Sequence, residues 1–352
     1  MKKVVLALSG GVDSAIAAHL LQKEGFQVHG LNLLTWGADD QRERVQEIAD
    51  NLNFPVDFLD VREAFRNQVV QPFIDAYLDG LTPSPCVFCN RQIKWSAILQ
   101  KADEIEAEFV ATGHYARLKI DQTGLTQIWK ATDVAKDQSY MLTFLTQNLL
   151  QRTLLPLGEH TKPQIRQLAV DLGLAVSDQP DSQDLCFLAC TDYRDFLRQH
   201  SEQSPLPGPI YHVDGRLLGQ HQGLAFYTIG QRKGLPSSTE ALYVIEKRTA
   251  DNSLIVGFLK DLGATTFLVD QVNWISGQAP EKEGGLDVKI RYKALPVVAQ
   301  VKPKSDTRVL VTADQLLRDI TPGQIAAFYH GEQLMGGGVI IDPATTLTDH
   351  ES

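Results

Sequence analysis

The 352-residue chain carries 43 acidic against 33 basic side chains, a formal net charge of −10, with 43% hydrophobic and 22% charged residues. Such a composition is that of a globular protein with room for two or three domains; it excludes a surface basic all over but leaves open a local basic face that binds phosphates. No apolar run approaches membrane-span length, Met1-Lys2-Lys3 leads into a short strand instead of a signal peptide, and four cysteines are too few for a disulfide scaffold, so a cytoplasmic protein with no membrane partner is expected.

Residues 4–8 read as a buried strand and residues 15–23 as a helix. Between them lies Ser9-Gly10-Gly11-Val12-Asp13-Ser14. Adjacent glycines let backbone approach a ligand, the helix that follows offers free N–H groups and a positive dipole end, and Ser9 and Ser14 add hydroxyl donors. This is the chemistry of a phosphate cradle. No Gly-Lys-Ser/Thr follows, so it is not a Walker A loop. The plainer alternative is a glycine-rich turn in a Rossmann-like domain.

Further strands are expected at 26–34, 56–59 and 109–112, with helices at 39–51, 62–77 and 91–105 between them. The alternation argues an α/β fold, a doubly wound parallel sheet whose ligands bind at the carboxyl ends of the strands. Residues 116–130 read as a hairpin about Asp121-Gln122-Thr123-Gly124. Helices follow at 139–151 and 162–172, the latter opened by the capping-box pattern Thr161-Lys-Pro-Gln164. The Pro- and Ser-rich stretch 201–209 is a linker. Short strand-like runs then continue to residue 329, split by turn signals at Asp214-Gly215 and Asp251-Asn252. They suggest two small, mostly β domains, the C-terminal one a β barrel. The expected division is 1–200, 201–264 and 265–352, with a frayed tail at 349–352.

Cys86-Val87-Phe88-Cys89-Asn90 follows Leu81-Thr82-Pro83-Ser84-Pro85. Two prolines in three positions are expected to hold this segment in a stiff loop outside any helix. Arg91 and Lys94 come next, near the expected helix start, a setting that lowers a thiol pKa. Cys186 and Cys190 lie downstream, behind Asp181-Ser182-Gln183-Asp184-Leu185. The four cysteines would suffice for a zinc site; inert buried thiols and redox-active thiols that handle sulfur are the alternatives, and spacing alone does not separate zinc from thiol chemistry.

Eight stretches in order carry a resemblance: residues 9–14; Thr82 to Asn90 with Ile93-Lys94-Trp95; Ala111-Thr-Gly-His-Tyr-Ala-Arg117; Lys136-Asp-Gln-Ser-Tyr140; Asp181 to Phe187; Tyr227-Thr-Ile-Gly-Gln-Arg-Lys-Gly-Leu235; Arg291-Tyr292; and Thr321-Pro-Gly-Gln324. Together they resemble the tRNA-specific 2-thiouridylases, ATP-dependent enzymes that thiolate the wobble uridine of certain tRNAs. The resemblance implies that Ala7, Leu8, Ser9, Gly10, Gly11, Val12, Asp13 and Ser14 hold ATP, with Leu33 and Gly113 completing the pocket. It implies Cys89 as nucleophile and Cys186 as the residue that carries a persulfide. Ser84, Pro85 and Cys86 would lie against the target base, and His114, Lys136, Asp137, Gln138, Arg291, Tyr292 and Gln324 would touch tRNA. Sulfur would come from a cysteine desulfurase or a relay protein.

Two positions depart from the family pattern: Ser84 stands where Asn is common, and Cys86 where some members have an Asp with an acid/base role. Cys86 supplies a third thiol, which with Cys89 and Cys186 could hold an iron–sulfur cluster with one open iron. Mg²⁺ is the expected companion of the ATP phosphates, with Asp13 a candidate ligand. Rival functions are a GMP-synthetase-like or argininosuccinate-synthetase-like adenylating enzyme, which needs no paired thiols, a non-catalytic tRNA-binding protein, and a zinc-stabilised nucleotide-binding module.

Overall fold

In the computed structural model the described residues are 1–37, 41–176, 185–188, 191–280 and 285–341. The expectations placed on Cys190, on residues 181–184 and on the tail lie outside them. Among the described residues no helix is long and apolar enough to cross a membrane.

The chain opens with β1 (Lys3–Ala7), α1 (Val12–Lys23), β2 (Gln27–Leu34), α2 (Arg42–Asn51) and β3 (Val56–Asp60). Two continuous helices follow, α3 over residues 62–78 and α4 over residues 85–104, then β4 (Phe109–Ala111). With β7 (Thr153–Leu154), four of these strands complete a five-stranded sheet in the order β3-β2-β1-β4-β7, every pair parallel. A parallel sheet must be covered on both faces, and β1 shows how. Val4 and Leu6 point into a core built with α1, α2 and α5 (Lys162–Asp171). Val5 points the other way, against Trp95, Ala97 and Ile98 of α4. The chain order reverses between β1 and β4. That switch point is where such sheets bind ligands, and the loops after β1 and β4 both open there.

The cysteine segment is not the stiff loop that its prolines suggest. Helix α4 begins at Pro85, runs through Cys89, passes through a π-turn over Asn90–Trp95 and continues to Glu104. Proline at the first helical position forfeits an N–H that has no partner there anyway, so Pro85 starts the helix instead of blocking it.

The hairpin forms as expected from β5 (Ala116–Ile120) and β6 (Thr126–Lys130). Its partner is unexpected: the free edge of β6 pairs Ile128 and Trp129 with Leu334 and Gln333 near the end of the chain. A central sheet takes β8 (Gly208–His212), β9 (Leu217–His221), β10 (Tyr243–Arg248) and β11 (Ser253–Gly257) in the order β10-β11-β8-β9. The last part is a closed barrel of β12 (Ala264–Trp274), β13 (Gly285–Lys289), β14 (Val297–Pro303), β15 (Val309–Leu317), β16 (Ile325–His330) and β17 (Gln333–Ile341), with β17 pairing back onto β12. Strand β17 is missing from the sequence reading because its centre is Gly336-Gly337-Gly338, which resembles a loop. The glycines let three backbones meet: a Cβ on Gly337 would lie 2.3 Å from the Ala326 carbonyl oxygen.

Candidate active site

After β1 the chain turns through Leu8, Ser9, Gly10 and Gly11 into α1. Gly10 takes the left-handed φ of +77° that the turn requires, and Gly11 caps the helix. Leu8 is buried and its N–H bonds Leu31 O at 2.9 Å, while Ser9 stays exposed. The Ser14 hydroxyl accepts from the Ser9 N–H at 3.2 Å and donates to Gly11 O at 3.0 Å. It shapes the loop before it serves any ligand. Val12 is buried under the first turn of α1. Across the switch point Gly113 follows β4. A Cβ there would sit 3.1 Å from Ser14 N, so a larger residue would push the two loops apart. Leu33, half-buried on β2, packs into the core on the α4 side of the sheet, which also takes in Ala7.

Asp13 is already engaged. Lys162 Nζ, from the first turn of α5, lies 2.7 and 2.8 Å from its two carboxylate oxygens, and the Tyr115 hydroxyl donates to it at 2.7 Å. A carboxylate facing a buried ammonium does not fit as a magnesium ligand, and that expectation gives way to a loop-anchoring role.

Cys86 and Cys89 sit three residues apart at the start of α4, both half-buried, and Cys186 is exposed on residues 185–188. Each of the two helix thiols feels the charge of Cys186, and Lys94 acts on all three. The expected lowering of the thiol pKa is reversed. Burial pushes Cys86 up to about 11 and Cys89 up to about 12, and it also raises Cys186; the opposing pull of Lys94 is smaller. The cause is the early start of α4. Cys89 lies inside the helix, against the core that holds Phe65, Phe73 and Phe187, and its neighbour Phe88 stacks on Phe144 at 5.0 Å. Among the described residues no group of three Cys, His, Asp or Glu side chains is arranged to hold a metal ion. The iron–sulfur reading therefore does not fit this arrangement of Cys86, Cys89 and Cys186, while the zinc reading also rests on Cys190, which lies outside the described residues.

The barrel grips the segment that leads into α4. Gln324 Nε2 donates to Thr82 O at 2.8 Å and to Pro83 O at 3.3 Å, and Thr82 N donates to Pro322 O at 2.9 Å. Ser84 lies beside Tyr140, whose hydroxyl donates to Ile325 O at 2.9 Å. Pro85 beside it is buried. The Tyr140 and Tyr292 rings lie 6.0 Å apart, with Lys289 Nζ 5.9 and 5.5 Å from their centres. Asp137 is turned inward: it accepts from Ala131 N, Ser139 N and Ser139 Oγ at 2.9–3.2 Å. Gln138 Oε1 accepts from Tyr115 N at 2.9 Å. His114 pairs with Thr112 Oγ1 at 2.8 Å and lies 5.6 Å from the Trp95 ring, and burial holds its imidazole well below its ordinary pKa. Of the side chains expected to touch tRNA, Arg291 is exposed and ion-paired with Asp319, and Lys136 and Tyr292 are half-exposed. Asp137 is buried, and His114, Gln138 and Gln324 are held by hydrogen bonds within the protein.

Sequence reasoning left Tyr115, Tyr140 and Lys162 without roles. The two tyrosines stand inside motifs already singled out, but Lys162 offers no signal, because it meets Asp13 only through the fold.

Matches to known proteins span nearly the whole chain. Residues 2–190 match a family model described as a tRNA methyl transferase HUP domain, 194–258 a tRNA methyl transferase PRC-barrel domain, and 264–340 an aminomethyltransferase beta-barrel domain. The tRNA-specific 2-thiouridylase MnmA of Chloroflexus aggregans is 41% identical over 356 residues, covering 97% of this chain and 99% of that protein. Its counterparts in Natranaerobius thermophilus and Clostridioides difficile are each 37% identical, covering 97% and 96% of this chain and 98% of each relative.

Proposed function

The chain belongs to the tRNA-specific 2-thiouridylase family, and we propose that it replaces the C2 oxygen of the wobble uridine of tRNA with sulfur, using ATP to activate that oxygen. The observation that carries this reading is contiguity. Gly113 touches the phosphate loop, His114 next to it feels Lys94, and Lys94 acts on all three thiols. Gly113, His114 and Lys94 thus link the phosphate loop to the thiols. The matching domain models are described by methyl transfer, yet thiols beside a phosphate loop suit sulfur transfer. An amide- or amine-adenylating enzyme would leave Cys89 and Cys186 without work.

In this reading the uracil C2 oxygen attacks the α-phosphorus of ATP, an O–P bond forms, and pyrophosphate leaves. The loop from Ala7 to Ser14 stabilises the departing charge with its N–H groups and the start of α1. Magnesium would be held by the phosphates themselves, since Asp13 is taken. AMP now replaces a poor leaving group. The terminal sulfur of a persulfide on Cys186 attacks C2, and the C2–O bond breaks as AMP departs. The Cys89 thiolate then attacks Cys186 Sγ; the S–S bond breaks, and its electron pair stays on the sulfur that becomes C2=S. Alternatively Cys89 attacks Cys186 Sγ of the persulfide first and frees sulfide, which then attacks C2 as AMP departs. Either route leaves a Cys89–Cys186 disulfide, which two electrons from a dithiol reductant must reopen. Cys186 is the exposed thiol of the three, which suits it to receive sulfur from a cysteine desulfurase or a relay protein. Splaying the target base from an anticodon loop costs little, and Ser84, next to the start of the cysteine helix, and the half-exposed Tyr292 keep surface that a base can reach.

With unmodified tRNA, ATP and a sulfur donor, pyrophosphate and AMP are expected to appear in step with 2-thiouridine, and only with tRNA that carries a wobble uridine. Pyrophosphate release that ignores tRNA, or ADP as the product, would overturn the reading. Iron and acid-labile sulfide at cluster stoichiometry in anaerobically purified protein would move the sulfur chemistry from free thiols to a cluster.

A further inference from the structure

Sulfur transfer passes through anionic sulfur, yet the surrounding protein raises the pKa of all three thiols, even that of Cys186, whose side chain still reaches solvent. One cation opposes that burial at all of them. Lys94 acts on Cys86, Cys89 and Cys186, and also on His114 beside the phosphate loop.

Its placement follows from the π-turn over Asn90–Trp95. On a regular α-helix, side chains five apart diverge by roughly 140°, at 3.6 residues per turn. A π-turn repeats from i to i+5 instead, so position 94 falls nearer the face that carries position 89 than it would on a regular helix. The turn interrupts an otherwise α-helical element in the stretch that separates Cys89 from Lys94. Lys94 Nζ donates to Asn90 Oδ1 at 2.9 Å, and Asn90 Nδ2 donates to Met141 O at 2.9 Å. The buried amide is thus fixed with its oxygen toward the ammonium, which it orients without neutralising. Among the described residues no carboxylate pairs with Lys94.

Resting on the thiolation reading above, we infer that Lys94 is the positive charge against which anionic sulfur is held during transfer to the activated uridine. It serves the sulfur step and not the adenylation step. The roles separate because pyrophosphate release reports the first step and 2-thiouridine the second.

The experiment uses the full-length enzyme, loaded with sulfur, in a single turnover with tRNA and ATP, reading both products. Lys94→Met is expected to slow 2-thiouridine formation by about 10²-fold, the scale of removing one charge-stabilising donor from an active site. Pyrophosphate release should stay within about threefold of wild type on the same scale, and Lys94→Arg, which keeps the charge, should restore most of the loss. Asn90→Asp provides a second arm: it sets a carboxylate against an intact lysine and should reproduce the selective loss. Wild-type thiolation by Lys94→Met or by Asn90→Asp would overturn the inference. So would a parallel loss of both products that Lys94→Arg does not relieve. A wild-type enzyme that releases no pyrophosphate with tRNA would instead defeat the thiolation reading itself.

Discussion

Cys89→Ser and Cys186→Ser are each expected to reduce 2-thiouridine formation by at least about 10³-fold while leaving tRNA-dependent pyrophosphate release near wild type. A serine hydroxyl can neither carry a sulfane sulfur nor close a disulfide, so each substitution removes a bond that the reaction must make. The phosphate loop is untouched by either change: it lies at the end of β1, while the thiols stand on α4 and on residues 185–188. The two thiols act in one sequence of bonds, so the double variant should be no slower than either single one. Liquid chromatography of digested tRNA reads the thiolated base, and a coupled assay reads pyrophosphate. A Cys89→Ser or Cys186→Ser enzyme that thiolates at the wild-type rate would remove that cysteine from the chemistry.

Lys162→Met is expected to destabilise the first domain by about 2–4 kcal/mol, around the lower end of the range for breaking a buried ion pair from one side. The lysine side chain is 7% exposed, and the Asp13 carboxylate it holds is 35% exposed, which moderates the penalty. With the ammonium gone, the Tyr115 hydroxyl is the side-chain donor left to Asp13 among the described residues, at the mouth of a site expected to hold phosphates. ATP should bind more weakly as well, since the loop loses its anchor and an uncompensated carboxylate faces the nucleotide. Adding Asp13→Asn should return part of the stability, because the stranded charge disappears with its partner. Denaturant titration of the wild type, both single variants and the double variant measures the coupling. Equal midpoints for Lys162→Met and wild type would show that the pair anchors nothing.

The parts of this site that depend on local sequence were legible in it. The run from Val4 to Ser14 could only be a strand, a glycine turn and a helix, and the alternation that follows placed the turn at the working edge of a parallel sheet. What misled were residues whose meaning depends on position. Pro85 looked like a helix breaker and is a helix starter. Gly336-Gly337-Gly338 looked like a loop and is the strand that closes the barrel, because only glycine lets the backbones meet. The Cys89 environment looked cationic and is dominated by burial, since a helix that starts four residues earlier carries the thiol into an apolar core. Contacts between distant parts of the chain left no trace at all. The Lys162–Asp13 pair spans 149 residues, and the grip of Gln324 on Thr82 spans 242. That second contact recasts the Thr321–Gln324 motif: the barrel holds the entrance to the cysteine helix, so a domain remote in sequence sets where the thiols stand.

The most direct test is the state of the thiols after one turnover. Enzyme loaded with sulfur is mixed with unmodified tRNA and ATP without reductant, quenched in acid and mapped by mass spectrometry. A disulfide between Cys89 and Cys186 should form in proportion to 2-thiouridine, one for one, and fail to form when ATP or tRNA is omitted. A full yield of 2-thiouridine with both thiols still reduced would contradict the account.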